Sequence, residues 1–302
     1  MKLLSFNNNS KENVGAKIDE GIVDLPASYF NKYKETPPSY LFNLREFFEN
    51  LDAAERLTEE LISDEEFRVV LSEKSLKMLP LLKPRKILCV AVNYGAHAKE
   101  AGGASVEEPY VFTKFPDNVV APNENLLLPK ASKQFDHELE LAVVIGKKGK
   151  YITQDEAFDY IAGYTVFNDV SFRDRRIHSS KRYITNWLHG KNMDRSAPFG
   201  PYIVTKDEIP DPHNLHMTIK VNGEVRQDGN TEGMIHRIPE ILQYISSGIT
   251  LYPGDIISTG TVTGSGLGTG KFLNDGDVLE ATIEKIGTLV NKVVAENYKY
   301  PI

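Results

Sequence analysis

The sequence predicts a β-rich α+β protein with a small N-terminal unit, and three observations carry that expectation. Beyond residue 84, short apolar runs such as "KILCVAV" and "LELAVVIG" alternate with turn residues. The stretch "HMTIKVNGEVRQDG" is a hairpin, with Asn222-Gly223 in the two-residue turn position. Residues 41–62, by contrast, space Leu, Phe and Ile by three and four with acids between, which is a helical pattern.

Taken in order, "KLLSF", "GAKI" and "GIVDL" predict short strands joined by turns, followed by the helix over 41–62. "SDEEFRVVLSEKSL" opens with a serine followed by acids, a helix-start signal that predicts a second helix from Ser63. "LPLLKPRK" carries two prolines and predicts a linker, so the division is placed at 1–83 and 84–302. After it, "TQDEAFDYIAGYTVFND" predicts a helix ended by Gly163 and a strand running to Asp169. "IPEILQYISSGITLYPGDIISTG" predicts a helix stopped at Gly248, a turn at Pro253-Gly254 and a strand. "FLNDGDVLEATIEKIGTLVNKVV" adds two more strands, and no repeat appears.

Composition narrows the function. The chain has 302 residues, 41% hydrophobic and 25% charged, which suits a globular protein of one large or two unequal domains. A net charge of −7 without a basic run argues against nucleic acid as a partner. One cysteine, Cys89, excludes an internal disulfide and fits a reducing compartment. No stretch is apolar enough for a signal peptide or a membrane span, so a cytoplasmic location is expected.

The chemistry centres on "HELEL", residues 137–141. Side chains alternate along a strand, so Glu138 and Glu140 share one face while Leu139 and Leu141 share the other. Two adjacent carboxylates raise each other's pKa unless the strand end lies in water or a cation sits between them. Asp169 ends a strand before a loop and could complete a three-oxygen set for a hard divalent cation. In "NYGAHAKEAG", His97 and Glu100 stand three apart, on one helical face, and such a pair could activate a water. "TGSGLGTGK" has the look of a phosphate loop, but no helix-forming stretch follows Lys271.

Six motifs occur in order: "VNYGAHAKEAG", "HELELAVVIGK", "GYTVFNDVSFRD", "GKNMD" with "PFGPYIV", "DPHNLHMTIKVNGEVRQDGNT" and "LYPGDIISTGT". Together they resemble the fumarylacetoacetate hydrolase family over roughly residues 84–296. The resemblance implies a mixed β-sandwich roll behind a small N-terminal domain, a homodimer, and a divalent metal, Mg²⁺ or Mn²⁺. It implies a small 2-keto or 2,4-diketo acid as substrate. The metal ligands then fall on Glu138, Glu140 and Asp169, and His97 with Glu100 becomes the catalytic pair on a lid flanked by Gly95, Gly102 and Gly103. Lys191 and Arg173 match positions that line the substrate site, and Thr261 matches a threonine that grips the substrate carboxylate. No histidine besides His97 is given a role.

The chain departs from the family where substrate is contacted. "FRDRR" puts Arg176 where many members carry glutamine, which suggests a second carboxylate on the substrate. Asn186-Trp187 replaces a common Gln-Trp, and Val262 stands where proline is usual. The favoured expectation is Mg²⁺-dependent hydrolysis of a C–C bond in an acylpyruvate or fumarylpyruvate. Oxaloacetate decarboxylation or keto–enol isomerisation on the same site is the alternative, and a non-catalytic metal-binding paralogue is the rival of another class.

Overall fold

A computed structural model describes residues 1–8, 10–100, 107–176 and 185–297. The N-terminal part holds β1 (Lys2–Asn8), β2 (Lys11–Ile18), β3 (Gly21–Asp24), α1 (Leu25–Tyr33), α2 (Leu44–Glu49), α3 (Leu51–Ser63), β4 (Val70–Leu71) and β5 (Lys77–Met78). Next come β6 (Ile87–Ala91), α4 (Gly95–Glu100), β7 (Tyr110–Lys114), β8 (Val119–Val120), β9 (Asn125–Leu128), β10 (Phe135–Asp136) and β11 (Leu139–Ile145). They are followed by β12 (Ile161–Asn168), β13 (Ser171–Phe172), α5 (Arg173–Arg176), α6 (Trp187–Lys191) and β14 (Ala197–Thr205). The chain closes with β15 (His216–Val221), β16 (Glu224–Asn230), α7 (Ile238–Ser246), β17 (Ile256–Thr261), α8 (Gly266–Thr269), β18 (Val278–Ile283) and β19 (Gly287–Ala295).

The large mixed sheet has the order β4-β3-β2-β1-β14-β12-β11-β17-β6-β7, and a second sheet has the order β16-β15-β18-β19-β9. This is the expected β-rich α+β architecture. The N-terminal strands extend the large sheet, because β1 pairs with β14 at Lys2↔Val204 and Leu3↔Ile203. The expected division at residues 83 and 84 falls in the segment between β5 and β6, which has no helix or strand.

The helical pattern over 41–62 is cut in two at Asn50. Asn43 caps α2 by accepting from the N–H groups of Arg45 and Glu46. The helix expected from Ser63 is absent. Ser63 instead ends α3, and turns lead directly to β4. The acids after Ser63 imitate a helix start, but no apolar period follows them to bury. Gly163 does not stop a helix either. It lies inside β12, where a Cβ would come within 2.2 Å of the Val204 carbonyl oxygen on β14. Only glycine allows that backbone approach. The hairpin stands as expected: Asn222 and Gly223 turn with φ of 52° and 81° between β15 and β16.

Strand β11 lies between β12 and β17, and every one of its residues is buried. Burial on both faces explains its near-continuous apolar run. The pairing with β17 matches Glu140 to Thr261 but Ala142 to Ser258, so β17 carries one extra residue there. This bulge sits beside the acids, and Gly260 supplies the φ of 93° it needs.

Candidate active site

The strand alternation acts as expected. Glu138 and Glu140 face one cavity, which Asp169 joins from the loop after β12. All three are buried, and one carboxylate oxygen from each lies within 4.8 Å of the others. The cavity measures about 80 Å³. His97, Arg173, Arg176, Lys191 and Thr261 also line it.

The acids differ in their surroundings. Arg173, at the start of α5, donates from Nη2 to Glu138 Oε1 at 2.6 Å and from Nε to Asp136 Oδ2 at 2.7 Å. Asp136 is held in turn by the N–H groups of Gly266 at 2.6 Å and Leu267 at 3.0 Å. Lys191, at the end of α6, donates to both Glu138 Oε2 and Asp169 Oδ2. Burial alone pushes Glu138 upward, but Arg173, Lys191 and His97 override it and hold the carboxyl well below the usual range. For Lys191, burial works against the ammonium, yet Asp169 and Glu138 raise its pKa.

Among the described residues Glu140 has no ion-pair partner within 4.0 Å. Its Oε2 accepts from Ser258 Oγ at 2.5 Å and from the Gly260 N–H at 2.9 Å, the donor released by the bulge. Burial, then the charges of Asp169 and Glu138, push Glu140 well above the usual carboxylate range. A buried acid next to two others, with only neutral donors of its own, lacks positive charge. The three-oxygen set therefore suits a hard divalent cation.

His97 faces Glu138 Oε1 with Nε2 at 3.8 Å, while its Nδ1 lies 3.2 Å from Glu100 Oε2. A carboxylate only accepts, so a hydrogen on Nδ1 points to Glu100, and Nε2 is the ring nitrogen directed at the cavity. Arg176 lines the cavity, and among the described residues it has no carboxylate partner. Asp174 is engaged instead by Ser132 Oγ at 2.6 Å and the Lys133 N–H at 2.9 Å. Burial, then the charge of Arg173, lowers the Arg176 pKa.

Thr261 lines the cavity, and its hydroxyl is engaged within the protein. Its hydroxyl donates to the Leu139 carbonyl at 2.7 Å and accepts from Gln227 Nε2 at 2.9 Å. The hydroxyl proton is thus committed to the strand pairing rather than offered to the cavity. Gly102, Gly103 and His178 lie outside the described residues.

Sequence reasoning missed Lys114. Its ammonium is buried 2.9 Å from Asp169 Oδ1 and donates to the carbonyls of Val170 at 2.9 Å and Lys191 at 2.6 Å. Burial lowers its pKa despite the pull of Asp169. The available signal was its parity with Phe112 on β7, which places a lysine on an inward face. Also missed was the aromatic wall, where Trp187 stacks on Phe112 at 4.4 Å and Tyr110 meets Trp187 edge-on at 5.6 Å.

The chain is similar to several known proteins. An oxaloacetate tautomerase of Bos taurus, named as mitochondrial, is 39% identical over 276 residues, covering 91% of this chain and 84% of the bovine protein. A fumarylacetoacetate hydrolase from psychrophilic Exiguobacterium antarcticum has a similar structure, with a TM-score of 0.79 and 31% identity over 98% of this chain and all of that one. A maleylpyruvate hydrolase from Sphingobium sp. SYK-6, solved with manganese(II) and pyruvate, gives 0.80 at 25% identity with the same coverage. The model of the fumarylacetoacetate (FAA) hydrolase C-terminal domain matches residues 86–294, the stretch that supplies every group in the cavity. By that match and by the bovine relative, the chain belongs to the fumarylacetoacetate hydrolase family.

Proposed function

We propose that the protein interconverts the keto and enol forms of a small 2-keto dicarboxylic acid of the oxaloacetate type. The observation that carries this reading is the pairing, in one cavity, of the carboxylate-oriented imidazole of His97 with a guanidinium that has no described carboxylate partner. Tautomerisation moves one proton between carbon and oxygen, so one well-placed imidazole is sufficient. The relative with the name oxaloacetate tautomerase supports the choice, since its likeness spans most of the chain. The reading shifts the emphasis from C–C hydrolysis, which the motifs alone favoured.

Each residue then has a task. His97, oriented by Glu100, takes a proton from the carbon next to the keto group and delivers it to the keto oxygen to give the enol, and the reverse path runs both transfers backwards. Arg176 holds the second carboxylate with a charge-assisted contact. Lys191 places positive charge beside the oxygens where enolate charge develops. Arg173 and Lys114 keep Glu138 and Asp169 in place. Glu138, Glu140 and Asp169 would hold a divalent cation, Mg²⁺ or Mn²⁺, which as a Lewis acid stabilises enolate charge. Trp187 and Phe112 keep that side of the cavity apolar, which strengthens these charge interactions.

Hydrolysis of an acylpyruvate is the second reading, favoured by the manganese and pyruvate named with the maleylpyruvate hydrolase. It asks His97 to activate a water instead. The test is a panel: enol-oxaloacetate decay, pyruvate release from oxaloacetate, and cleavage of acetylpyruvate and fumarylpyruvate, all with Mg²⁺ or Mn²⁺. Enol decay should be the fastest, and His97→Ala should slow it by about 10²–10⁴-fold. Faster cleavage of an acylpyruvate would replace the tautomerase reading with hydrolysis. A homodimer in the cytoplasm belongs to the same proposal, and light scattering of the purified chain tests the dimer.

A further inference from the structure

The glycine-rich turn that imitates a phosphate loop has a different occupant. The Glu100 carboxylate accepts the Gly264 N–H through both oxygens, at 3.1 and 3.3 Å. It also lies against Gly268 on α8. A Cβ at Gly268 would stand 2.0 Å from Glu100 Cδ, 2.1 Å from Oε1 and 2.2 Å from Cγ. All three of those atoms belong to the end of one flexible side chain. Gly268 carries no positive φ, so an alanine there suits its backbone. The three atoms nearest to that position among the described residues are therefore all from the Glu100 side chain.

We infer that Gly264 and Gly268 form a carboxylate seat that fixes Glu100, and that Gly268 is thereby a positioning residue for His97. Glu100 Oε2 is shared between the Gly264 N–H and His97 Nδ1. Movement of the carboxylate out of the seat moves the partner that sets the imidazole's tautomer and direction. The turn thus acts on the reaction without touching substrate. This rests on the proposed role of His97 as the base.

The seat makes a directional prediction about two substitutions. Gly268→Ala evicts Glu100, whereas Glu100→Ala empties the seat. Each should lower turnover of enol-oxaloacetate by about ten- to a hundredfold, part of the whole acid–base contribution. In the Glu100→Ala background these three closest atoms are gone, so the double variant should match Glu100→Ala alone. Hydrogen exchange at the Gly264 amide supplies a readout independent of turnover. Exchange should quicken in both single variants, with no further change in the double, while Mn²⁺ affinity stays within about twofold of wild type.

The outcomes separate the two claims. Wild-type exchange at Gly264 in Gly268→Ala overturns the seat, as do losses that multiply in the double variant. Quickened exchange with unchanged turnover keeps the seat and overturns the role given to His97. Unfolding of Gly268→Ala that Glu100→Ala relieves would still support the seat, because relief requires that the clash be with Glu100.

Discussion

The two sides of the acid cluster are built on opposite principles. Glu138 and Asp169 face cations, with Arg173 2.6 Å from one, Lys114 2.9 Å from the other and Lys191 shared between them. Glu140, two residues from Glu138, receives a hydroxyl and a backbone N–H. Both glutamates are buried and face one cavity, Glu140 on β11 and Glu138 just before it, yet Glu138 is driven well below the usual carboxylate range and Glu140 well above it. Burial is common to both, so the partners decide. The lesson is that the deficit of positive charge in this cavity is concentrated at Glu140.

Removing the deficient carboxylate should have the largest effect. Glu140→Gln keeps the size and the Ser258 and Gly260 contacts but withdraws a charged oxygen from the proposed cation. Turnover should fall by about a thousandfold or more, the scale of losing the main electrostatic stabiliser of an enolate. Steady-state kinetics at saturating Mn²⁺ checks this, and wild-type turnover would break the comparison.

The cation-lined side can be converted toward the other. Lys114→Met leaves Asp169 Oδ1 without its ion-pair partner and the carbonyls of Val170 and Lys191 without this donor. Breaking a buried pair from one end costs about 3–5 kcal/mol. Thermal unfolding of the metal-free variant should show a loss of that order, with part of it recovered on adding Mn²⁺. An unchanged midpoint would mean that Lys114 contributes nothing to the pairing.

These two sides were not equally legible in the sequence. Period-two alternation placed Glu138 and Glu140 together, because the signal is local and β11 is regular. Lys114 and Asp136 were harder to read: parity with Phe112 places Lys114 on an inward face but names no partner for it, and Asp136 is a single charged residue in its own short strand. Lys114 meets Asp169, and Asp136 meets Arg173 and Gly266, only after distant segments pack. The bulge that frees the Gly260 N–H was equally hidden, because it is a mismatch between two strands over a hundred residues apart. The helix expected after Ser63 failed for the converse reason: a local start signal without an apolar face to bury.

Arg176 tests a smaller effect at the cavity wall. Arg176→Gln should narrow the preference for oxaloacetate over a monocarboxylic 2-keto acid by about tenfold in kcat/KM, the value of one charge-assisted contact. A ratio within about twofold of wild type would remove Arg176 from substrate recognition.

The smallest effect is a pH slope in metal-free protein. The folded-state pKa of Glu140 is raised, so the folded chain holds a proton that the unfolded chain releases. That contribution to stability is present below the ordinary carboxylate range and is lost as pH rises through the folded value. Glu138 is depressed, so its contribution is present above the ordinary range and is lost only at lower pH. Between about pH 5 and pH 8, wild type should therefore lose up to about 1.4 kcal/mol per pH unit relative to Glu140→Gln. Denaturant titrations across that range measure the difference. Parallel curves for the two proteins would contradict the assignment of the charge deficit to Glu140.

The central claim is that the deficit at Glu140 marks the place of a cation, and titration calorimetry with Mn²⁺ tests it most directly. Metal-free wild type should bind one Mn²⁺ per chain, and Glu140→Gln should bind none in the same range. Binding of Mn²⁺ by Glu140→Gln with wild-type affinity and stoichiometry would contradict the account.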